Sequence, residues 1–164
     1  MNIIALVIAT FIPLIIGFIW YNPKTFGNAW QKAAGITDEQ AKGANMALIF
    51  SLTLVFSFII AFMMQVIVIH QFHFGSILAM QPDFKEPGSV SSELMKQINE
   101  LYGHSYRTFK HGAFHGTLAG LLLIMPIMAI NALFERKGFK YIAINAGYWI
   151  VSMALMGGII SAYE

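Results

Sequence analysis

Cysteine is missing from this 164-residue chain. That excludes disulfides, thiolate metal sites and cysteine nucleophiles, and it leaves the redox compartment open. Charge is the second scarcity. Asp, Glu, Lys and Arg make up 11% of the residues, against roughly 25% in a soluble domain. The few charges are also kept out of whole regions: residues 1–23, 43–82, 111–134 and 141–163 contain none. The net charge of +2 is too small to point to a nucleic-acid partner. What remains is apolar, with 57% hydrophobic residues.

Each charge-free region contains a block long enough to cross the hydrocarbon core as a helix, which takes about 20 residues. The spans are expected at about 2–20, 45–72, 112–134 and 141–163. Little chain is left over for a soluble domain. The expected fold is all-α: one integral membrane four-helix bundle, residues 1–164, in contact with the lipid bilayer. The first apolar run lacks a basic n-region and a small-residue cleavage site, so it reads as a retained helix and not as a signal peptide.

Between the spans the sequence carries local signals. After Trp20 and Tyr21, Asn22 reads as an N-cap and Pro23 as a first helical position. Phe26, Trp30 and Ala33 share a face, and Gly35 supplies a left-handed stop. This predicts a short interfacial helix after the first span, with Trp20, Tyr21, Pro23, Phe26, Gly27 and Trp30 at the headgroup level. The Thr37–Gln40 capping box starts a helix expected to run straight into the second span. In the second loop, Leu94, Ile98 and Leu101 recur at helical spacing behind Ser91 or Ser92, predicting a short amphipathic helix. Pro126 should kink the third span. Gly112, Gly116 and Gly120, with Gly157 and Gly158 in the fourth span, form small-residue stripes that allow close helix packing in lipid.

Loops one and three carry Lys24, Lys32, Lys42, Arg136, Lys137 and Lys140; the other side carries Lys85, Lys96, Arg107 and Lys110. The positive-inside bias therefore places loops one and three in the cytoplasm and both termini with loop two outside.

The pattern Gly17-x-x-Trp20-Tyr21-x-Pro23-x-x-Phe26-Gly27-x-x-Trp30, with Gly35 after it, resembles the opening of the bacterial membrane family called domain of unknown function 1761. His115-Gly116-x-x-x-Gly120 is similar to its third helix. Asn131-x-x-Phe134-Glu135-Arg136-Lys137, Ile144-Asn145-x-Gly147-Tyr148 and Met156-Gly157 are similar to its closing stretch. The resemblance implies a bacterial inner-membrane protein of four helices. It implies no activity.

Chemistry-bearing residues are sparse. No span holds a central carboxylate or Arg of the kind a proton or ion pathway uses. There is no G-x-S-x-G elbow, P-loop or G-x-G-x-x-G, so the chain reads as a non-enzyme. The ten methionines read as packing filler. Asn131 and Asn145 read as partners of neighbouring backbone. The five histidines, His70, His73, His104, His111 and His115, all lie toward the loop-two side. His70 and His73 (i, i+3) share a face at the end of span two, and His111 and His115 (i, i+4) share a face at the start of span three. Two such pairs could offer imidazole nitrogens to a metal or to haem iron, with Asp83, Glu86, Glu93 and Glu100 as further ligands. Otherwise these histidines cap helices, bond carbonyls or simply face water, and no cofactor is needed.

Three readings follow. The first is a non-catalytic bundle acting as a homo-oligomer or as an accessory subunit of a membrane complex. The second is a small-solute transporter or channel formed by an oligomer. The third is a metal- or haem-binding membrane protein using the histidines.

Overall fold

The computed structural model of the protein describes residues 2–163. Four helices are long and apolar enough to cross a membrane: Ile3–Trp20, Met46–Val68, Phe109–Phe134 and Phe139–Ala162. Among the described residues the secondary structure is helical with connecting turns, and no strand occurs. The chain is a multi-pass membrane bundle.

Helix α1 (Ile3–Trp20) begins at Asn2, whose side chain accepts from the Ala5 amide at 3.1 Å. Pro13 lies inside α1, buried, and its carbonyl accepts from the Tyr148 hydroxyl at 2.9 Å. Helix α2 (Gly27–Ala34) ends at Gly35, which takes φ +74°, as the sequence requires of a left-handed stop. Its start lies four residues later than the Asn22–Pro23 signal suggests. Asn22 closes a turn instead: its carbonyl accepts from the Thr25 and Gly27 amides, and its side chain from Lys24 N.

Helix α3 (Asp38–Lys42) has the full capping box at Thr37 and Gln40. It stops at Gly43, and Asn45 caps a separate helix α4 (Met46–Val68). The expected continuous helix is thus two helices. The second span also ends earlier than expected. The backbone is extended at Ile69, and a new helix α5 (Gln71–Ala79) follows His70. No Pro or Gly marks this break. The run Val66-Ile67-Val68-Ile69 is four β-branched residues, which lose side-chain freedom in a helix and weaken its last turn.

The amphipathic helix of loop two is α6 (Val90–Tyr102), capped by Ser89 and not by Ser91 or Ser92. It packs against α5. The third span is α7 (Phe109–Ala119), a π-turn at Gly120–Ile124, and α8 (Met125–Phe134). The expected kink at Pro126 takes the form of that π-turn. Pro126 cannot donate an N–H, and its ring would strike the carbonyl four residues back; one extra residue per turn moves that carbonyl away. Helix α9 (Phe139–Ala162) returns after a short turn.

Helix α9 is the central post. Half of its apolar window is buried, against 11% for the second and third spans, and α1, α4 and α7 all pack on it. Leu6 and Ala9 of α1 meet Ala61, Met64 and Val68 of α4 and Met153, Met156 and Ile160 of α9 in one core. The outward Phe, Ile and Leu side chains of α1, α4 and α8 are exposed, as lipid-facing residues should be. Lipid is as apolar as the core, so cohesion depends on close packing and internal hydrogen bonds more than on apolar burial.

The glycine stripes supply that packing within the chain. A Cβ on Gly112 would overlap the Gly157 carbonyl oxygen, one on Gly157 would overlap the Gly112 carbonyl oxygen, and one on Gly116 would overlap the Met153 carbonyl oxygen. A Cβ on Gly120 would sit 2.8 Å from Ile150 Cα, and one on Gly158 would sit 2.6 Å from the Phe109 ring. These glycines join α7 and the start of the π-turn to α9.

Candidate metal centre

Two polar constellations occupy opposite ends of the bundle. The loop-one end holds the aromatic motif. Trp20 Nε1 donates to the Ile144 carbonyl at 3.0 Å. Tyr21 Oη and Trp30 Nε1 both donate to Asn145 Oδ1, at 2.9 and 3.2 Å, and Asn145 Nδ2 donates to the Tyr141 carbonyl at 2.8 Å. Phe26 packs on Trp20, and Tyr21 packs on Trp30 and Tyr148. Pro23 presents its carbonyl to Asn28 Nδ2. Gly27 is required because a Cβ there would strike the Tyr21 and Asn22 backbone. Burial, with Tyr148 and Tyr141 beside it, pushes the Tyr21 phenol above its ordinary value and keeps it a donor. The motif is a clasp that ties loop one to α9, with Asn145 as its hub. Sequence reasoning assigned Asn145 only its bond to neighbouring backbone. Its other partners lie 115 and 124 residues away.

The loop-two end holds the histidines. His70, His111 and His115 come together, each offering a ring nitrogen, with these atoms all within 4.8 Å of one another. His70 Nε2 and His111 Nε2 are 2.9 Å apart. The ring centroids are 5.0 Å (His70–His111), 4.8 Å (His70–His115) and 4.5 Å (His111–His115), all edge-on. All three are half-buried.

Local structure explains the convergence. Thr108 caps α7 by accepting from His111 N at 3.2 Å, which fixes the first turn. Helical spacing then stacks His115 above His111. The Ile69 break turns the chain at the end of α4 and brings His70 to that face. His73, expected to pair with His70, is exposed and outside the group, because the break places it in α5 and not on α4. His104 is also exposed and lies apart, lining a cavity with Arg107 and Gln65. Among the described residues, no carboxylate joins the trio. Asp83, one of the expected extra ligands, accepts instead from Ser91 Oγ at 2.7 Å and Ser91 N at 3.2 Å. His70 lies just beyond α4; desolvation, then His111 and His73, hold its imidazole below its ordinary value. It is therefore neutral at pH 7, the form that ligates metal.

The donor set suits a small transition-metal ion. Two nitrogens on one tetrahedral zinc, at bonds of 2.0–2.1 Å, sit about 3.3 Å apart. The Nε2 pair needs to open by only about 0.4 Å to reach that. Without an ion the same 2.9 Å contact is an N–H···N hydrogen bond between the two rings.

Sequence reasoning missed two further residues here. Gln71 Nε2 donates to the Tyr102 and Ser105 carbonyls at 2.7 and 3.0 Å. The Tyr106 ring lies on His111 at 5.0 Å, tilted by 32°. Their only advance signal was position, one next to His70 and the other just before the third span.

No curated protein and no solved structure matches the chain. A family model does, over residues 4–161, and that range takes in both the clasp and the histidine trio. The chain belongs to the family described as protein of unknown function, DUF1761.

Proposed function

We propose that this protein is a metal-binding membrane protein that holds one first-row transition-metal ion, zinc or copper, through His70, His111 and His115. The observation that carries the reading is the convergence of three imidazoles from two separate segments, 41 residues apart, at one end of the bundle. Imidazole nitrogens without carboxylate or thiolate suit zinc and copper. Three protein ligands leave a coordination position for water or a transferred ligand, the arrangement of reactive and exchangeable sites. The direct His70–His111 contact favours a bare ion over haem, since a porphyrin needs a flat slot beside its axial nitrogens. With the orientation read from loop charges, the ion would be held on the side away from the cytoplasm.

Equilibrium dialysis of detergent-purified protein against Zn²⁺ tests this. One ion per chain in the parent and none in the His111→Ala/His115→Ala variant is the expected result. Equal zinc in the two proteins refutes the assignment.

A further inference from the structure

The segment between α6 and α7, residues 103–108, runs beside the histidine trio and meets it through Tyr106, whose ring lies on His111. Its Tyr106 takes φ +63°, a left-handed conformation costly for any residue with a Cβ. Such strain persists only where the surroundings over-determine it. Here the anchors are many. Arg107 Nε donates to the Ser161 carbonyl at 3.0 Å, and Arg107 Nη2 to the Tyr163 carbonyl at 2.7 Å. The Tyr106 carbonyl accepts from Thr108 N at 2.9 Å and from Ser161 Oγ at 3.4 Å. Gln71 Nε2 grips the other end through Tyr102 and Ser105. Gln71 follows His70 in the chain, so one anchor of the strap moves with one of the candidate ligands.

The strained residue is the one whose ring lies on His111. Tyr106 is 68% exposed. A tyrosine this exposed gains little from burial, so what the anchored, strained position gives its side chain is the contact with His111. We propose that the 103–108 strap is the cover of the histidine centre and that Tyr106 is its positioning residue. Its ring fixes the plane of the His111 imidazole and shields the outer side of the trio, so the strap sets how fast an ion exchanges. This inference rests on the metal reading above. It adds that access to the ion is controlled by a segment supplying none of the three nitrogens.

The test uses Co²⁺, whose visible absorption reports coordination geometry, and its release to an excess of chelator in stopped flow. Four variants are compared with the full-length parent: Tyr106→Phe, Tyr106→Ala, Arg107→Ala and His111→Ala. Loss of an outer-shell contact commonly costs about 10–100-fold in metal binding, so Tyr106→Ala and Arg107→Ala should release Co²⁺ at least about tenfold faster, with shifted bands. Tyr106→Phe keeps the ring and should stay within about twofold of the parent. Parent-like rates and bands in both Tyr106→Ala and Arg107→Ala, with His111→Ala losing its bands, would overturn the cover while leaving the metal centre standing. A parent that shows no Co²⁺ bands would overturn both.

Discussion

Replacing Asn145 with Ala should open the clasp at the loop-one end, and the cost can be worked from its bonds. Asn145 is 8% exposed and makes three hydrogen bonds. The substitution strands the Tyr21 hydroxyl, the Trp30 indole N–H and one Tyr141 carbonyl lone pair. A buried donor left unsatisfied costs about 1–3 kcal/mol. Two considerations lower the sum. The clasp lies near the membrane surface, where water can reach part of it, and side-chain hydrogen bonds in membrane proteins average only about 0.6 kcal/mol in double-mutant cycles, with a maximum near 1.7. We expect a loss of about 2 kcal/mol for Asn145→Ala and a coupling of about 0.6–1.5 kcal/mol between Asn145 and the Tyr21 hydroxyl. The assay is reversible unfolding in mixed micelles for the parent, Asn145→Ala, Tyr21→Phe and the double variant. Additive losses, with coupling below about 0.3 kcal/mol, would refute the claim that the Tyr21 bond is one the clasp depends on.

Other consequences are equally direct. Gly116→Leu drives a side chain into the Met153 backbone, which cannot yield as a flexible side chain would, so it should cost at least about 3 kcal/mol and lower the monodisperse yield; Gly138→Ala, where a Cβ meets nothing within 4 Å, should be close to neutral by the same unfolding assay. Ser91 hydrogen bonds hold the Asp83 carboxyl below its ordinary value of 3.8. That contact stabilises the start of α6 fully above the ordinary value, and the stabilisation is lost as pH falls through the lowered one. The Ser91 amide resonance should therefore titrate with a midpoint under 3.8, and a midpoint at or above it would contradict the contact. Gly35→Ala should lose about 1–2 kcal/mol, because φ +74° suits no Cβ; an unchanged unfolding midpoint would show that α2 does not need this stop.

The four spans were legible because charge exclusion over some 20 residues has few other causes. The glycine stripes were legible as close-packing surfaces, though not which helix they face. The structure turns them inward, from α7 onto α9. What could not be read were features made by distant partners. Asn145 looks like any helical Asn until loop one folds down on it. The histidine site was half legible. His111 and His115 follow from helical spacing, but choosing His70 over His73 depends on the Ile69 break, whose only trace is a run of β-branched residues. The Asn22–Pro23 signal misled because a turn and a helix start use the same residues; what decides is Gly27, whose missing Cβ lets the turn close first.

The same break offers the most direct test of the metal centre. His70 and His73 are three residues apart, and an unbroken α4 would give them the same face. Zinc stoichiometry should be compared in the parent, His70→Ala and His73→Ala proteins under identical detergent conditions. The account predicts one ion per chain in the parent and in His73→Ala, and loss of the ion in His70→Ala. Equal loading of the two single variants, whether full or absent, would contradict it.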